Sequence, residues 1–187
     1  MLKVAADTSH ECARNHLHLR NAILKDKIYA AGSESDVRQA VLALYDLDLV
    51  GNLEKHRIDY FNPELLIEFK YKADLNDLGV KCKVLAQMIH YLYKMVIEEH
   101  EFELPETVCL VNRTTFIFYD TVNFIKYLFD SSNFTGITSP SKDHPVLERL
   151  LRRDLNINGL SFSTISDYPH IWDELSKRGI YEFEHDY

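Results

Sequence analysis

The stretch Leu65-Leu66-Ile67-Glu68-Phe69-Lys70 constrains this chain more than any other. It is an apolar strand pattern that carries an acid and a lysine two positions apart. Side chains of a strand alternate faces, so Glu68 and Lys70 share one face while Ile67 and Phe69 take the other. Upstream, Arg57-Ile58-Asp59-Tyr60-Phe61 alternates in the same way, and Asn62-Pro63-Glu64 between them is a turn-forming group. Pairing the two as a hairpin brings Asp59 towards Glu68 and Lys70. Two carboxylates and an ammonium meeting at one point make a seat for a hard divalent cation, with a lysine left to meet a phosphate or a water nucleophile. The competing explanation is the charged solvent face of an ordinary strand, common in a chain that is 27% charged.

After a polar stretch, Asp74 to Gly79, the strongest helical pattern begins. Leu85, Met88, Ile89, Leu92 and Val96 form one apolar stripe, which predicts a helix over 80–100. Lys83, Gln87 and Tyr91 recur at four-residue steps beside it, so Gln87 and Tyr91 can both reach a group at the end of the hairpin or can form a packed boundary. Ser33 with Asp36 three residues on predicts a helix start, with Val37, Val41, Leu42, Leu44 and Tyr45 as its apolar side to about Asp46. A short strand is expected over 47–50, and the hairpin over 55–61 and 64–71. Two β-branched and aromatic strands, 107–111 and 114–119, are expected around a tight turn at Asn112-Arg113. Asp120 or Thr121 is placed to cap a helix to about Phe129. Strands and helices interleave, so the class is α/β.

Toward the ends the signals thin. Residues 10–28 read as a helix with Cys12, Leu17, Ala22, Ile23 and Leu24 on an imperfect apolar side. His10-Glu11 does not open a zinc-binding H-E-x-x-H, because Arg14 stands where the second histidine belongs. His16 and His18, two apart on a helix, cannot face one metal together. From Ser131 to Pro145 the composition turns to Ser, Asn, Gly, Pro and Asp, which reads as a loop or linker. A short helix over 146–154 follows, with Arg149, Arg152 and Arg153 as the densest basic spot, either a phosphate contact or a helix surface. Ile171, Trp172 and Leu175 anchor the last stretch, whose aromatic and acidic tail reads as the point where a longer polypeptide continues.

A chain of 187 residues with 46% hydrophobic content can bury a core without staples. Three cysteines, Cys12, Cys82 and Cys109, lack ligand spacing and suit a reducing, cytoplasmic setting. Met1-Leu2-Lys3-Val4 turns polar at once, so neither a secretory leader nor a membrane span is expected. A net charge of −8 opposes binding to a phosphate backbone if the charge is spread evenly. A metal-holding site must itself be acidic, however, and a bound divalent ion reverses the local sign.

Asp59, then Glu68-Phe69-Lys70, then Gln87-Met88-Ile89-His90-Tyr91 stand in the order of the signature of the PD-(D/E)xK nuclease superfamily. They resemble its RecB-like branch, which adds a Q-x-x-x-Y helix after the catalytic strand. Ile58 stands where the signature's proline would precede the acid, a position at which proline is often missing. Residues 32–38, Gly32 to Arg38, resemble the opening of the family's first helix, where an acid such as Glu34 completes the site. The resemblance spans residues 32–129. It implies a restriction-endonuclease-like αβββαβ core, a central mixed sheet flanked by helices, with the site at a sheet edge. It also implies an Mg²⁺-dependent endodeoxyribonuclease, with Mn²⁺ as substitute, of the kind found in bacterial restriction-modification systems.

By the same resemblance, Glu34, Asp59 and Glu68 would bind metal, Lys70 would serve the attacking water, and Gln87 and Tyr91 would support the site. The expected organisation is a helical extension over 1–30, a nuclease core over 31–130, and a linker with a helical extension over 131–187 that leads into further domains. DNA, a methyltransferase, translocase or specificity domain, and a second copy on DNA are the implied partners. The rival readings are a degenerate nuclease fold used as a docking module and an acidic interaction protein without catalysis.

Overall fold

A computed structural model describes residues 2–47, 59–100 and 103–181. Residues 48–50 of the strand expected over 47–50, residues 55–58 at the start of the expected hairpin and the tail over 182–187 lie outside the described residues. A long helix, α1 (Leu2–Ala30), leads through Gly32 into α2 (Glu34–Leu44). Ser33 starts α2 as expected, because its hydroxyl accepts the Asp36 N–H at 3.2 Å and so satisfies one of the amides a helix start leaves unpaired.

The hairpin forms between β1 (Tyr60–Phe61) and β2 (Leu65–Phe69), antiparallel, with Tyr60 opposite Ile67 and Phe61 opposite Leu66. Asn62 makes the turn: its side-chain oxygen accepts the N–H groups of Glu64 and Leu65 at 3.0 and 2.6 Å. Helix α3 (Leu78–Leu92) then crosses over, started by Asp77, whose carboxylate accepts the Val80 N–H at 2.9 Å. Past Leu92 the bonding slips by one residue into a π-helical stretch, Tyr93–Glu98, and Glu99 N–H reaches Lys94 O at 2.9 Å. The crossover lets β3 (Thr107–Val111) lie parallel to β2, with Glu68 opposite Leu110.

β4 (Thr115–Asp120) returns antiparallel to β3. The turn between them is held by Asn112, whose side-chain oxygen accepts the N–H groups of Thr114 and Thr115 at 2.8 and 2.7 Å. Asp120 caps nothing through its side chain. Its carboxylate is taken by Arg178, and a single 3₁₀ turn (Thr121–Phe124) leads into the short α4 (Ile125–Leu128).

The segment 131–145, read as a loop or linker, is packed. Asn133, Phe134 and His144 are buried, and the segment lies between α4 and α5 (Pro145–Leu151). A fifth strand, β5 (Leu160–Ser163), pairs antiparallel with β4, and α6 (Tyr168–Lys177) follows. Four half-exposed residues at a sheet edge leave little trace in the sequence. The glycine before them marks the place better: Gly159 sits at φ +62°, and a Cβ there would come within 2.7 Å of Ile117, the Phe118 carbonyl and Tyr119.

The sheet runs in the order β1-β2-β3-β4-β5, a mixed sheet flanked by helices on both faces. Alternation sorts the core cleanly. Leu66, Val108, Leu110, Ile117 and Tyr119 face α3, α4 and α5, while Leu65, Ile67, Phe69, Cys109, Val111, Phe116 and Phe118 face α1, α2 and α6. The chain is thus α/β, and residues 131–181 contribute Phe134, Leu147, Leu151 and Ile157 to one core and Ile171, Leu175 and Ile180 to the other. The three cysteines are free, and no helix among the described residues is long and apolar enough to cross a membrane.

Candidate active site

Glu68 is the one charged position in the buried run Leu65–Phe69, and it is only 4% exposed. Its parity is that of Leu66, so it points to the α3 side of the sheet and not to solvent. Such burial would be costly for a lone charge. Lys70, two residues on along the same face, brings Nζ to 2.6 Å from Glu68 Oε1. The second oxygen, Oε2, is buried and has no hydrogen-bond partner among the described residues.

Asp59 directly precedes β1 and falls across the hairpin from Glu68 by continuation of the register. Its Oδ2 accepts the Phe69 N–H at 2.7 Å, so the side chain extends the ladder where the backbone of β1 has run out. Its Oδ1 lies 3.7 Å from Arg38 Nη1. Glu34, in the first turn of α2, acts electrostatically on Asp59, Glu68 and Lys70 together. Asp59, Glu68 and Lys70 therefore lie together at the end of the hairpin, and Glu34 acts on all three through its charge.

Electrostatics follow from this crowding. Burial pushes the Glu68 carboxyl up to about 7, with Asp59 and Glu34 adding to the rise and Lys70 opposing it. Asp59 is raised too, first by burial and then by Glu34, against the pull of the Phe69 N–H, Lys70 and Arg38. Burial alone would lower Lys70, yet the charge and hydrogen bond of Glu68, with Glu34 and Asp59 behind them, raise it. Two acids held above their ordinary range beside a firmly protonated lysine are a cluster short of positive charge.

Helix α3 places its two expected residues differently. The Gln87 amide donates to the Ser141 carbonyl at 3.4 Å, and one turn earlier Lys83 pairs with Asp143 at 2.7 Å. That edge of α3 holds the 138–144 segment, which sequence periodicity could not foresee. Tyr91 is 9% exposed and belongs to the core that contains Phe61 and Leu66, on the Glu68 face of the sheet. Arg38 was missed, although it stands one turn after Glu34 on the same helix face, a spacing that should have drawn attention.

Of the cluster's residues, Glu34 and Lys70 line a shallow cleft together with Gly32, Ser33, Tyr71, Lys72 and Ala73, while Glu68 lies buried behind them. Among the described residues no three His, Cys, Asp or Glu side chains form a group that could hold a metal ion. The donors nevertheless fit a hard cation that keeps most of its waters, which needs only one or two carboxylates, and the orphaned Glu68 Oε2 is such a donor. No family model, no curated protein and no solved structure matches this chain.

Proposed function

We propose that this chain is an Mg²⁺-dependent endodeoxyribonuclease domain built on a restriction-endonuclease-like core of the RecB-like PD-(D/E)xK type. The observation that carries the reading is Glu68: a carboxyl buried on a sheet face, with one oxygen on Lys70 and the other without a hydrogen-bond partner among the described residues, facing Asp59 across the hairpin. The α2–hairpin–α3–β3 order supports it, with β3 parallel to the strand that bears Glu68 and Lys70.

Asp59 and Glu68 would hold the metal, with Glu34 completing the shell through water. Bound there, Mg²⁺ or Mn²⁺ supplies Lewis acidity to the scissile phosphate and acidifies an attacking water. The chain's residues do the rest. Lys70 holds and orients that water from the cleft side, and its ammonium offsets charge that develops on the phosphate. Arg38 holds Asp59 from behind, and the Phe69 N–H fixes the other carboxylate oxygen. Tyr91 supports the strand face, and Gln87 fixes the segment packed on α3. Restriction-modification is the setting this arrangement suits, in a cytoplasm, with methyltransferase, translocase or specificity domains and a second copy on DNA as partners.

That no three-donor group forms among the described residues favours a second reading, a degenerate nuclease fold that docks partners without cutting. Titrating Mn²⁺ into wild type and Asp59→Ala by calorimetry, then incubating both with plasmid, separates the two. Saturable binding and nicking that the substitution abolishes support the nuclease. Absence of binding by the wild type overturns it in favour of the docking module.

A further inference from the structure

The cleft that opens onto Lys70 has a basic rim that the mechanism above does not use. Tyr71 and Lys72 follow Lys70 directly, and Arg113 arrives from the β3–β4 turn. The Arg113 guanidinium lies 5.0 Å from the centre of the Tyr71 ring, and Lys72 Nζ lies 5.5 Å from it. Arg113 also donates to the Ala31 carbonyl at 3.5 Å, beside Gly32 of the cleft wall. Two elements far apart in sequence thus bring a cation each to one aromatic ring at the mouth of the site.

Six other cations of the molecule are paired. Arg20, Arg38, Lys70, Lys83, Lys126 and Arg178 each have a carboxylate within 4 Å. Lys72 and Arg113 form no ion pair among the described residues. In a chain of net charge −8, Lys72 and Arg113 set two cations against the one ring of Tyr71, which lines the cleft beside Lys70. The N-terminal end of α2, at Ser33 and Glu34, opens into the same cleft and adds its dipole. A phosphodiester backbone entering the cleft meets this rim next to the lysine.

We propose that Lys72 and Arg113, braced on the Tyr71 ring, grip a backbone phosphate of the nucleic acid next to the scissile one. The inference rests on the nuclease reading for its geometry, and it identifies where the strand runs. Phosphate contacts position a strand without reading its sequence, so the grip sets register and affinity and leaves specificity to other parts. Arg113 and Lys72 are positioning residues: they act on KM and leave kcat alone.

The test uses the full chain and a fluorescein-labelled oligodeoxynucleotide, single-stranded and duplex, with Ca²⁺ in place of Mn²⁺ and anisotropy read across a salt series. The proteins are wild type, Lys72→Ala, Arg113→Ala, the double variant, Arg113→Lys, and Lys177→Ala as a surface control. Each lost phosphate contact should flatten the log-log salt slope by about 0.7 on a single strand or about 0.9 on a duplex. The double variant should raise Kd and KM by roughly 10- to 100-fold with kcat kept, and Arg113→Lys should restore the slope. Unchanged Mn²⁺ titration in each variant shows that the fold survives. Slopes and KM equal to wild type in both alanine variants overturn the grip while the nuclease stands. If the wild type binds DNA without cutting it under Mn²⁺, the nuclease reading fails and the slopes still decide the grip. If the wild type binds neither probe, the grip falls too.

Discussion

The two ends of the sheet carry two half-buried charge clusters of similar make-up, and they are finished differently. At the far end Arg178 is fully used: it donates to Asp120 at 2.7 Å, to Glu174 at 2.9 Å and to the Thr107 hydroxyl at 3.2 Å, and it lies over the Phe118 ring. At the near end Glu68 has one oxygen on Lys70 and one with no hydrogen-bond partner among the described residues, with Asp59 crowding it from across the hairpin. A satisfied network tethers α6 to the ends of β3 and β4. An unsatisfied one costs stability, and the proposed metal would supply its missing partner.

The sharpest way to break this contrast is cleavage. Asp59→Ala, Glu68→Ala and Lys70→Ala should each lower plasmid nicking by at least about 10³-fold, since each removes several kcal/mol of charge stabilisation at the reacting phosphate. Arg178→Ala should leave nicking within about twofold at a temperature where it stays folded, because it lies at the opposite strand ends. Full cutting by any of the first three variants would remove that residue from the site.

Stability should run the other way. Arg178→Ala leaves Asp120 and Glu174 without their shared cation and should cost about 2–4 kcal/mol in chemical denaturation. Glu68→Gln should stabilise the protein at pH 8. The Glu68 carboxyl is raised from 4.5 to about 7 in the folded state, so folding takes up a proton between these values. Its contribution is most favourable below pH 4.5 and is lost as pH rises through about 7, and the Gln variant escapes that loss. A Glu68→Gln protein weaker than wild type at pH 8 would mean that the Lys70 pair outweighs burial.

Metal binding sharpens the contrast again, because a proton and a cation compete for the same carboxylate. With Glu68 at about 7, Mn²⁺ affinity should fall by up to about tenfold per pH unit below that value. Arg178→Ala should leave this profile in place. A flat profile between pH 8 and pH 5.5 would show that Glu68 is not a ligand.

Much of the near end was legible because its logic is local. Alternation along Leu65 to Lys70, the Asn62 turn and the Ser33 cap each depend on neighbours within a few residues. The α/β class followed for the same reason. What stayed hidden depends on distant chain: the direction of Gln87 is decided by Ser141, and Arg113 reaches the Tyr71 ring only because the β3–β4 turn packs beside Ala31. Composition misled at 131–145, where polar residues fill a buried niche: His90 Nδ1 meets His144 Nε2 at 2.8 Å and its ring stacks on Phe134. Burial lowers His90 to about 4, with His144 and Lys94 adding to it, so the stability of that niche is lost as pH falls from about 6.5 towards 4, opposite in sign to Glu68.

The smallest expected effect tests whether the near end depends on its helix as the far end depends on α6. Ser33→Ala removes the acceptor for the Asp36 N–H at the start of α2, the helix that carries Glu34 and Arg38 to the site. A lost cap of this kind costs about 1 kcal/mol, which for a chain of this size lowers Tm by about 2–4 °C. Arg38 sits on the second turn and still reaches Asp59 once the helix is formed, so nicking should change by less than about twofold. Glu34, on the first turn, is the residue most exposed to fraying. A larger fall in Mn²⁺ affinity than in Tm would therefore show that Glu34 takes part in the metal shell, and equal, small losses would leave Asp59 and Glu68 as the ligands.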